Sequence, residues 1–312
     1  MPMSLAFSTI RECVTHNPTR LRISHSNSDL ISSTKSNTVK RIQNLLTKRK
    51  SRIELKETVV EGPKMIFDLL KNERTRALVH QVIVSVERPE WIAELKENYS
   101  DNLIVFQGTQ EVLMACSDTV TPQGIVATVS IPPEPSKVSP PSSCRIPPLY
   151  LILDGVSDPG NLGALLRSSV ATGVAGVLLL PCCCDAWNPK AVRSAMGCSF
   201  QLPMLQVESI DHAQQVLSDW QVQDIYAATM EDGAVSFPHY DVDWTQHATA
   251  IIIGSEGNGL SDVVRNKVKS GEVKSVHVPM EAGIESLNAA VCGSVILFEY
   301  LRQSRKNPAK KL

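Results

Sequence analysis

A chain of 312 residues with 43% hydrophobic and 20% charged residues is long enough to bury a sizeable core and is neither collagen-like, fibrous nor wholly disordered. Its 31 Lys and Arg against 32 Asp and Glu leave a formal net charge of −1, so any surface for a polyanion must be a local patch. The longest uncharged apolar runs, such as Gly173 to Cys184, fall short of the ~18 to 20 residues that cross a bilayer, and no membrane span is expected.

Residues 1–37 carry only Glu12 and Asp29 as acids, against Arg11, Arg20, Arg22 and Lys35, and are rich in Ser and Thr. That composition fits an organellar transit peptide or a disordered tail; with no apolar h-region it does not fit a secretory signal. Pro18 and the run Ser24 to Ser28 suit a basic amphipathic mitochondrial leader poorly and lean towards a chloroplast, with a cytoplasmic protein as the alternative.

From residue 38 to 130 helical and strand patterns alternate. A basic amphipathic stretch (Val39 to Leu55) is followed by a strand near Val59, a helix at Lys64 to Lys71, a strand at Val82 to Val86 and a helix at Trp91 to Glu97. A strand at Leu103 to Phe106, a helix at Gln110 to Ala115 and a strand at Gly124 to Val129 complete one small α/β domain. Its cluster Lys40, Arg41, Lys48, Arg49, Lys50 and Arg52 suits phosphates and equally suits a solvated helix face. Residues 131–148 read IPPEPSKVSPPSSCRIPP; repeated proline fixes φ and removes donors, so this is the expected linker.

In residues 149–306 the alternation resumes. Strands are expected at Tyr150 to Asp154, Val174 to Leu180, Ile225 to Ala228, Ala250 to Ile253 and Ser275 to Val278. Helices are expected at Leu162 to Ala171, Pro189 to Met196, Asp211 to Asp219, Ser261 to Val268 and Leu287 to Arg302, before a basic tail, 307–312. This pattern implies a mostly parallel sheet with ligands at the carboxyl ends of its strands. The eight cysteines (13, 116, 144, 182, 183, 184, 198 and 292) form no C-x-x-C pair, and no H-E-x-x-H is present, so they read as reduced small apolar residues and no metal site is expected.

Three strand-to-helix junctions are dense in glycine and small polar residues. LILDGVSDPGNLGALLRSSV (151–170) places Asn161 where a helix cap would stand and Arg167 two turns further on; IIIGSEGNGLS (251–261) carries three glycines and Glu256 after an apolar strand; VHVPMEAGIESLNAAVCG (276–293) offers Ser286 or Asn288 as a cap. Neither the dinucleotide G-x-G-x-x-G nor a G-K-[ST] phosphate loop is present, which argues against a nucleotide-dependent oxidoreductase.

In series, D-P-G-N-x-G-x-x-x-R, G-S-E-G-x-G-L-S and V-P-M-x-x-G-x-x-S-L-N-x-A closely resemble the three motifs of the SpoU family of RNA 2′-O-ribose methyltransferases, within the SPOUT superfamily. The resemblance covers roughly residues 149–303. VVEGPKMIFDLL (59–70) and TPQGIVATVS (121–130) further resemble the RNA-binding domain that often precedes it, similar in fold to kink-turn-binding ribosomal proteins. The resemblance implies a deep trefoil knot, S-adenosylmethionine as cofactor and no metal. Carried over by position, it nominates Thr229, Gly254, Val278 and Leu287 for the cofactor. For catalysis it nominates Asn161, Arg167, Glu256, Ser286 and Asn288, with Arg167 on the RNA phosphate, Asn161 and Asn288 holding Arg167 and the ribose, and Glu256 fixing the loop or Arg167. It implies RNA as partner, ribosomal RNA ahead of tRNA, and a homodimer, for which Val291, Val295, Ile296 and Phe298 offer a surface. The alternative is an inactive RNA-binding or ribosome-assembly protein of the same fold.

Overall fold

The structure is a computed structural model and describes residues 30–99, 103–135, 146–230, 235–283 and 286–306. Most of the 1–37 stretch and the whole basic tail lie outside these residues. The chain builds β1 (Leu30–Ile31), α1 (Asn37–Thr47), α2 (Arg49–Leu55), β2 (Glu57–Glu61), α3 (Pro63–Lys71), α4 (Glu73–Arg76), β3 (Val79–Ser85), α5 (Pro89–Tyr99), β4 (Ile104–Gly108), α6 (Gln110–Ala115) and β5 (Ile125–Ser130). These strands form a sheet in the order β1-β4-β3-β5-β2, with β5 antiparallel to both its neighbours.

The basic stretch expected as one helix is two. Ser36 caps α1, its side chain accepting from Val39 N–H, and Val39, Ile42 and Leu45 form the buried stripe. Lys48, at φ −115° and ψ 112°, ends α1 and starts α2. Leu30 and Ile31, within the stretch read as a tail, pair with Gln107 and Gly108 of β4.

The second half adds β6 (Leu149–Asp154), α7 (Pro159–Thr172), β7 (Gly176–Leu179), α8 (Pro189–Ser194), a 3-10 turn (Cys198–Gln201), β8 (Met204–Gln206), α9 (Ile210–Asp219), β9 (Asp224–Ala228), β10 (Ser236–Pro238), β11 (Thr249–Gly254), α10 (Asp262–Ser270), β12 (Lys274–His277) and α11 (Ala289–Lys306). The seven strands lie in the order β10-β12-β9-β11-β6-β7-β8, every pair parallel.

Helices cover both faces of this sheet, which is why β6 and β11 are almost continuously apolar. Leu149, Leu151 and Leu153 point to the face packed by α7 and α11; Tyr150 and Ile152 point to the face packed by Leu217 of α9 and Val264 of α10. The strand order sets the carboxyl ends of β12, β9, β11 and β6 side by side, and the loops that leave them meet at one edge. The two halves also share a core: Val192 of α8 and Phe200 of the 3-10 turn are buried in the cluster of Met65, Leu69 and Leu70. Among the described residues no helix is long and apolar enough to cross a membrane.

Candidate active site

Helix α7 starts one turn earlier than its apolar pattern suggests. Asp158, not Asn161, is the cap: its carboxylate accepts from Asn161 N–H at 2.9 Å, with Pro159 as the first helical residue. That frees the Asn161 side chain. Its Nδ2 donates to the Glu256 carboxylate, and its Oδ1 accepts from Asn288 Nδ2 at 3.0 Å. Asn288 in turn caps α11, its Oδ1 accepting from Ala290 N–H (2.9 Å) and Val291 N–H (3.2 Å). One amide network therefore joins the three motif junctions.

Glu256 is presented by a loop that closes on itself. Ser255 N–H donates to Gly259 O at 2.9 Å and Gly259 N–H returns to Ser255 O at 3.0 Å. A Cβ on Gly254 would lie 2.5 Å from Gly259 backbone atoms, so the loop's own backbone already requires glycine at this position. The base of the loop is tied to β6: Asp154, 5% exposed, accepts from Ser261 N–H at 2.7 Å.

The structure does not bring all five nominated catalytic residues into one network. Arg167 is exposed on α7 and makes no hydrogen bond to Asn161, Asn288 or Glu256 among the described residues. It follows Gly160 and Gly163 along the helix face turned to α8; a Cβ on Gly163 would lie 2.5 Å from Ala191 O and from Ser194 Cβ. Burial pushes the nearby Cys198 thiol up, opposed by the Arg167 charge. Asn161 and Asn288 thus hold each other and Glu256, and among the described residues Arg167 stands outside that network. Ser286 is exposed and outside the network.

Thr229, Gly254 and Val278 stand at or just past the carboxyl ends of β9, β11 and β12, three adjacent strands. Leu287 is half-buried on the approach to α11. The Thr229 backbone is already engaged, its N–H on Val276 O at 2.9 Å and its carbonyl accepting from Ser275 Oγ at 2.8 Å and Ser236 Oγ at 3.2 Å. Val278 is half-buried against the core that includes α7 and α11. Val278 and Leu287 bring half-buried apolar side chains to this edge, a lining that suits an adenine ring and a thioether chain. Among the described residues no group of three His, Cys, Asp or Glu gathers to hold a metal.

Sequence reasoning passed over Asp158 as a cap, although Asp before Pro is the local signature of a helix start. It also missed Ser194, whose Oγ donates to Gly160 O at 2.7 Å and ties α8 to α7. Asp154 carried no local signal for its role, its partner being 107 residues away.

Residues 148–298 match the profile of the SpoU rRNA Methylase family, and residues 36–127 match that of the MRM3-like substrate binding domain. The mitochondrial rRNA methyltransferase 3 of Mus musculus is 30% identical over 305 residues, spanning 85% of this chain and 72% of that protein. The 23S rRNA (guanosine(2553)-2′-O)-methyltransferase RlmP of Bacillus subtilis is 26% identical over 268 residues, spanning 86% of this chain and 97% of its own length. The SpoU methyltransferase AviRb from Streptomyces viridochromogenes, solved in complex with AdoMet, superposes with a TM-score of 0.73 at 25% identity, covering 88% of this chain and 100% of that one.

Proposed function

The chain belongs to the SpoU rRNA methylase family, and on that premise we propose that it transfers a methyl group from S-adenosylmethionine to a ribose 2′-hydroxyl of ribosomal RNA. The observation that carries this reading is the network of Asn161, Glu256 and Asn288, which assembles the three motif junctions at the carboxyl edge of the sheet.

When bound, S-adenosylmethionine supplies an electrophilic methyl on a sulfonium. Thr229, Gly254, Val278 and Leu287 are the residues we assign to holding it. The chain's own task is to place the ribose oxygen and ease its proton away as it attacks. Arginine stays protonated throughout the physiological range, so Arg167 serves as a cation on the neighbouring phosphate, orienting and acidifying the hydroxyl. Asn161 and Asn288 keep the α7 and α11 starts fixed, Glu256 holds the loop against them, and exposed Ser286 lies within the same segment as Leu287. Such positioning and electrostatics are worth orders of magnitude in rate.

Ribosomal RNA is favoured over tRNA by the mouse and Bacillus relatives. The knot and the homodimer belong to this proposal. Helix α11 packs on α7, where Gly293 lies so near Leu165 that a Cβ would reach 2.5 Å, an arrangement that suits a threaded C-terminal segment. Val291 and Phe298, seven residues apart on α11, are about half exposed, 50% and 49%, and suit a partner copy; Ile296, at 0% exposed, belongs to the core instead. We place the protein in an organelle, a reading supported by mitochondrial relatives; the preference for a plastid rests on the composition of residues 1–37 alone. Both the domain boundaries at 131 and 148 and the leader are part of this reading.

The test is isotope transfer from labelled S-adenosylmethionine to RNA, with ribose methylation mapped in cells lacking the protein. One ribose losing its methyl in those cells, restored by the intact gene, is the expected result. Transfer to a base instead of a ribose overturns the chemistry, and no transfer to any cellular RNA overturns the catalytic reading.

A further inference from the structure

The basic stretch of α1 and α2 is not one uniform patch. Arg41 is paired with Glu57 at 2.6 Å, and Arg52 is buried, its side chain 4% exposed. Arg52 reaches across to the second half of the chain. Its Nε donates to Asp185 Oδ2 at 2.9 Å and its Nη2 lies 2.8 Å from the same oxygen, while Nη1 donates to Leu45 O at 2.6 Å. Beside it, Thr58 Oγ1 donates to Trp187 O at 2.7 Å, and Asp185 Oδ1 accepts from Trp187 N–H at 3.0 Å.

The segment that receives Arg52 is itself fastened to the start of the first motif. Cys184 N–H donates to Val156 O at 2.9 Å and Cys183 Sγ to Leu153 O at 3.1 Å; Leu153 and Val156 bracket the turn that leads to Asp158 and Asn161. On the other side, Lys48, Arg49, Lys50 and Lys56 flank Arg52 and are exposed. Burial raises the Cys184 thiol, with Asp185 and Asp158 adding to the rise and Arg52 and Lys190 opposing it. A buried ion pair is a poor way to gain stability, because desolvation offsets its attraction. What a guanidinium fork adds is fixed geometry.

We propose that Arg52 and Asp185 are a positioning pair that locks the exposed basic surface of α2 in register with the Asn161 turn, so that RNA phosphates held on α2 and the reacting ribose are kept at a set separation. This rests on the methyltransferase reading above. Through it, Arg52 touches neither substrate nor cofactor and acts on the turn by way of Asp185, Cys184 and Val156.

The test uses the full chain, S-adenosylmethionine and the RNA identified by mapping. Arg52→Met and Asp185→Asn are each expected to leave the affinities for S-adenosylmethionine and for RNA within about threefold while lowering kcat at saturating RNA by at least ~10-fold, since small misplacements of a reacting group are that costly. The double variant should lose no more than either single one, because the two residues act as a unit. Arg49→Ala with Lys50→Ala, by contrast, should raise the Kd for RNA by at least ~10-fold and make its salt dependence shallower, as the loss of phosphate contacts requires. If Arg52→Met does not fold, Asp185→Asn and the near-isosteric Thr58→Val are read by the same measurements. A lowered melting temperature with kcat within twofold of the unmodified chain shows a staple only and overturns the proposal. An unmodified chain that methylates no RNA overturns the function reading instead, so the two failures are distinct.

Discussion

Asn288 donates its side-chain amide to Asn161 Oδ1 at 3.0 Å across 127 residues of sequence, while its own oxygen caps α11 through Ala290 and Val291. One side chain thus holds a helix end and a site residue with opposite ends of the same amide.

The two tasks separate on substitution. Asn288→Asp keeps the cap acceptor, so the melting temperature should hold or rise slightly, since a carboxylate is favourable at a helix N-terminus. It loses the donor to Asn161 and sets a second negative charge near Glu256, so methyl transfer should fall at least ~10-fold. Asn288→Ala should lose activity and also about 1 kcal/mol of stability from the missing cap. Full activity in Asn288→Asp, measured by isotope transfer, would show that the Asn161 contact is structural only.

Gly254 and Gly257 sit in the same loop and predict opposite outcomes. A Cβ on Gly254 meets Gly259 backbone at 2.5 Å, whereas one on Gly257 meets nothing within 4 Å. Gly254→Ala should cost about 1–3 kcal/mol, as overpacking against backbone does, and should weaken S-adenosylmethionine binding because the loop opens. Gly257→Ala should change stability by less than about 0.5 kcal/mol. Calorimetric titration and thermal melts on both variants decide it, and normal cofactor affinity in Gly254→Ala places the cofactor elsewhere.

Arg167 is exposed and outside the amide network, which is what a group awaiting RNA requires. Arg167→Ala should reduce methyl transfer by at least ~100-fold with S-adenosylmethionine affinity within about threefold; Arg167→Lys should recover only part, since a lysine offers a point charge without the planar fork. Loss of cofactor binding with unchanged turnover per bound cofactor would sink the assignment.

How much of this was legible from the residues depends on range. β6 and β11 were readable because strands buried on both faces are runs of Leu and Ile, and the motif order pointed to the family. β8 and β10, three residues each, carry too little pattern to announce a strand. Arg52 read as one more cation in a basic run, because its partner Asp185 is 133 positions away and nothing local marks a charge for burial. A separation of 127 residues likewise hid the pairing of Asn161 with Asn288. The motif marks Gly254 for the cofactor, but nothing local shows that a Cβ there would meet the backbone of Gly259 in its own loop.

The cysteines, read as small apolar residues, make a prediction with a definite sign. Burial raises the Cys116 thiol from 9.0 to about 12. Burial also raises Cys183 from 9.0 to about 11, with Asp154 adding to the rise and hydrogen bonds from the Val156 and Gly155 backbone opposing it. Only the thiolate is alkylated, so at pH 8 a maleimide should label exposed Cys182 well before Cys183 and Cys116. Those two should react at an appreciable rate only as the pH approaches their raised values or the chain unfolds. The same shifts bear on stability. A group that keeps its proton in the folded chain and sheds it at 9.0 when unfolded contributes fully below pH 9 and loses that contribution as the pH climbs towards 11 and 12. The melting temperature should therefore decline above pH 9, and Cys116→Ala, though less stable at pH 7 for its cavity, should show a shallower alkaline decline than the unmodified chain. Equal labelling of Cys116 and Cys182 in the folded protein at pH 8 would show that Cys116 is reached by solvent, and the buried-thiol account would fail.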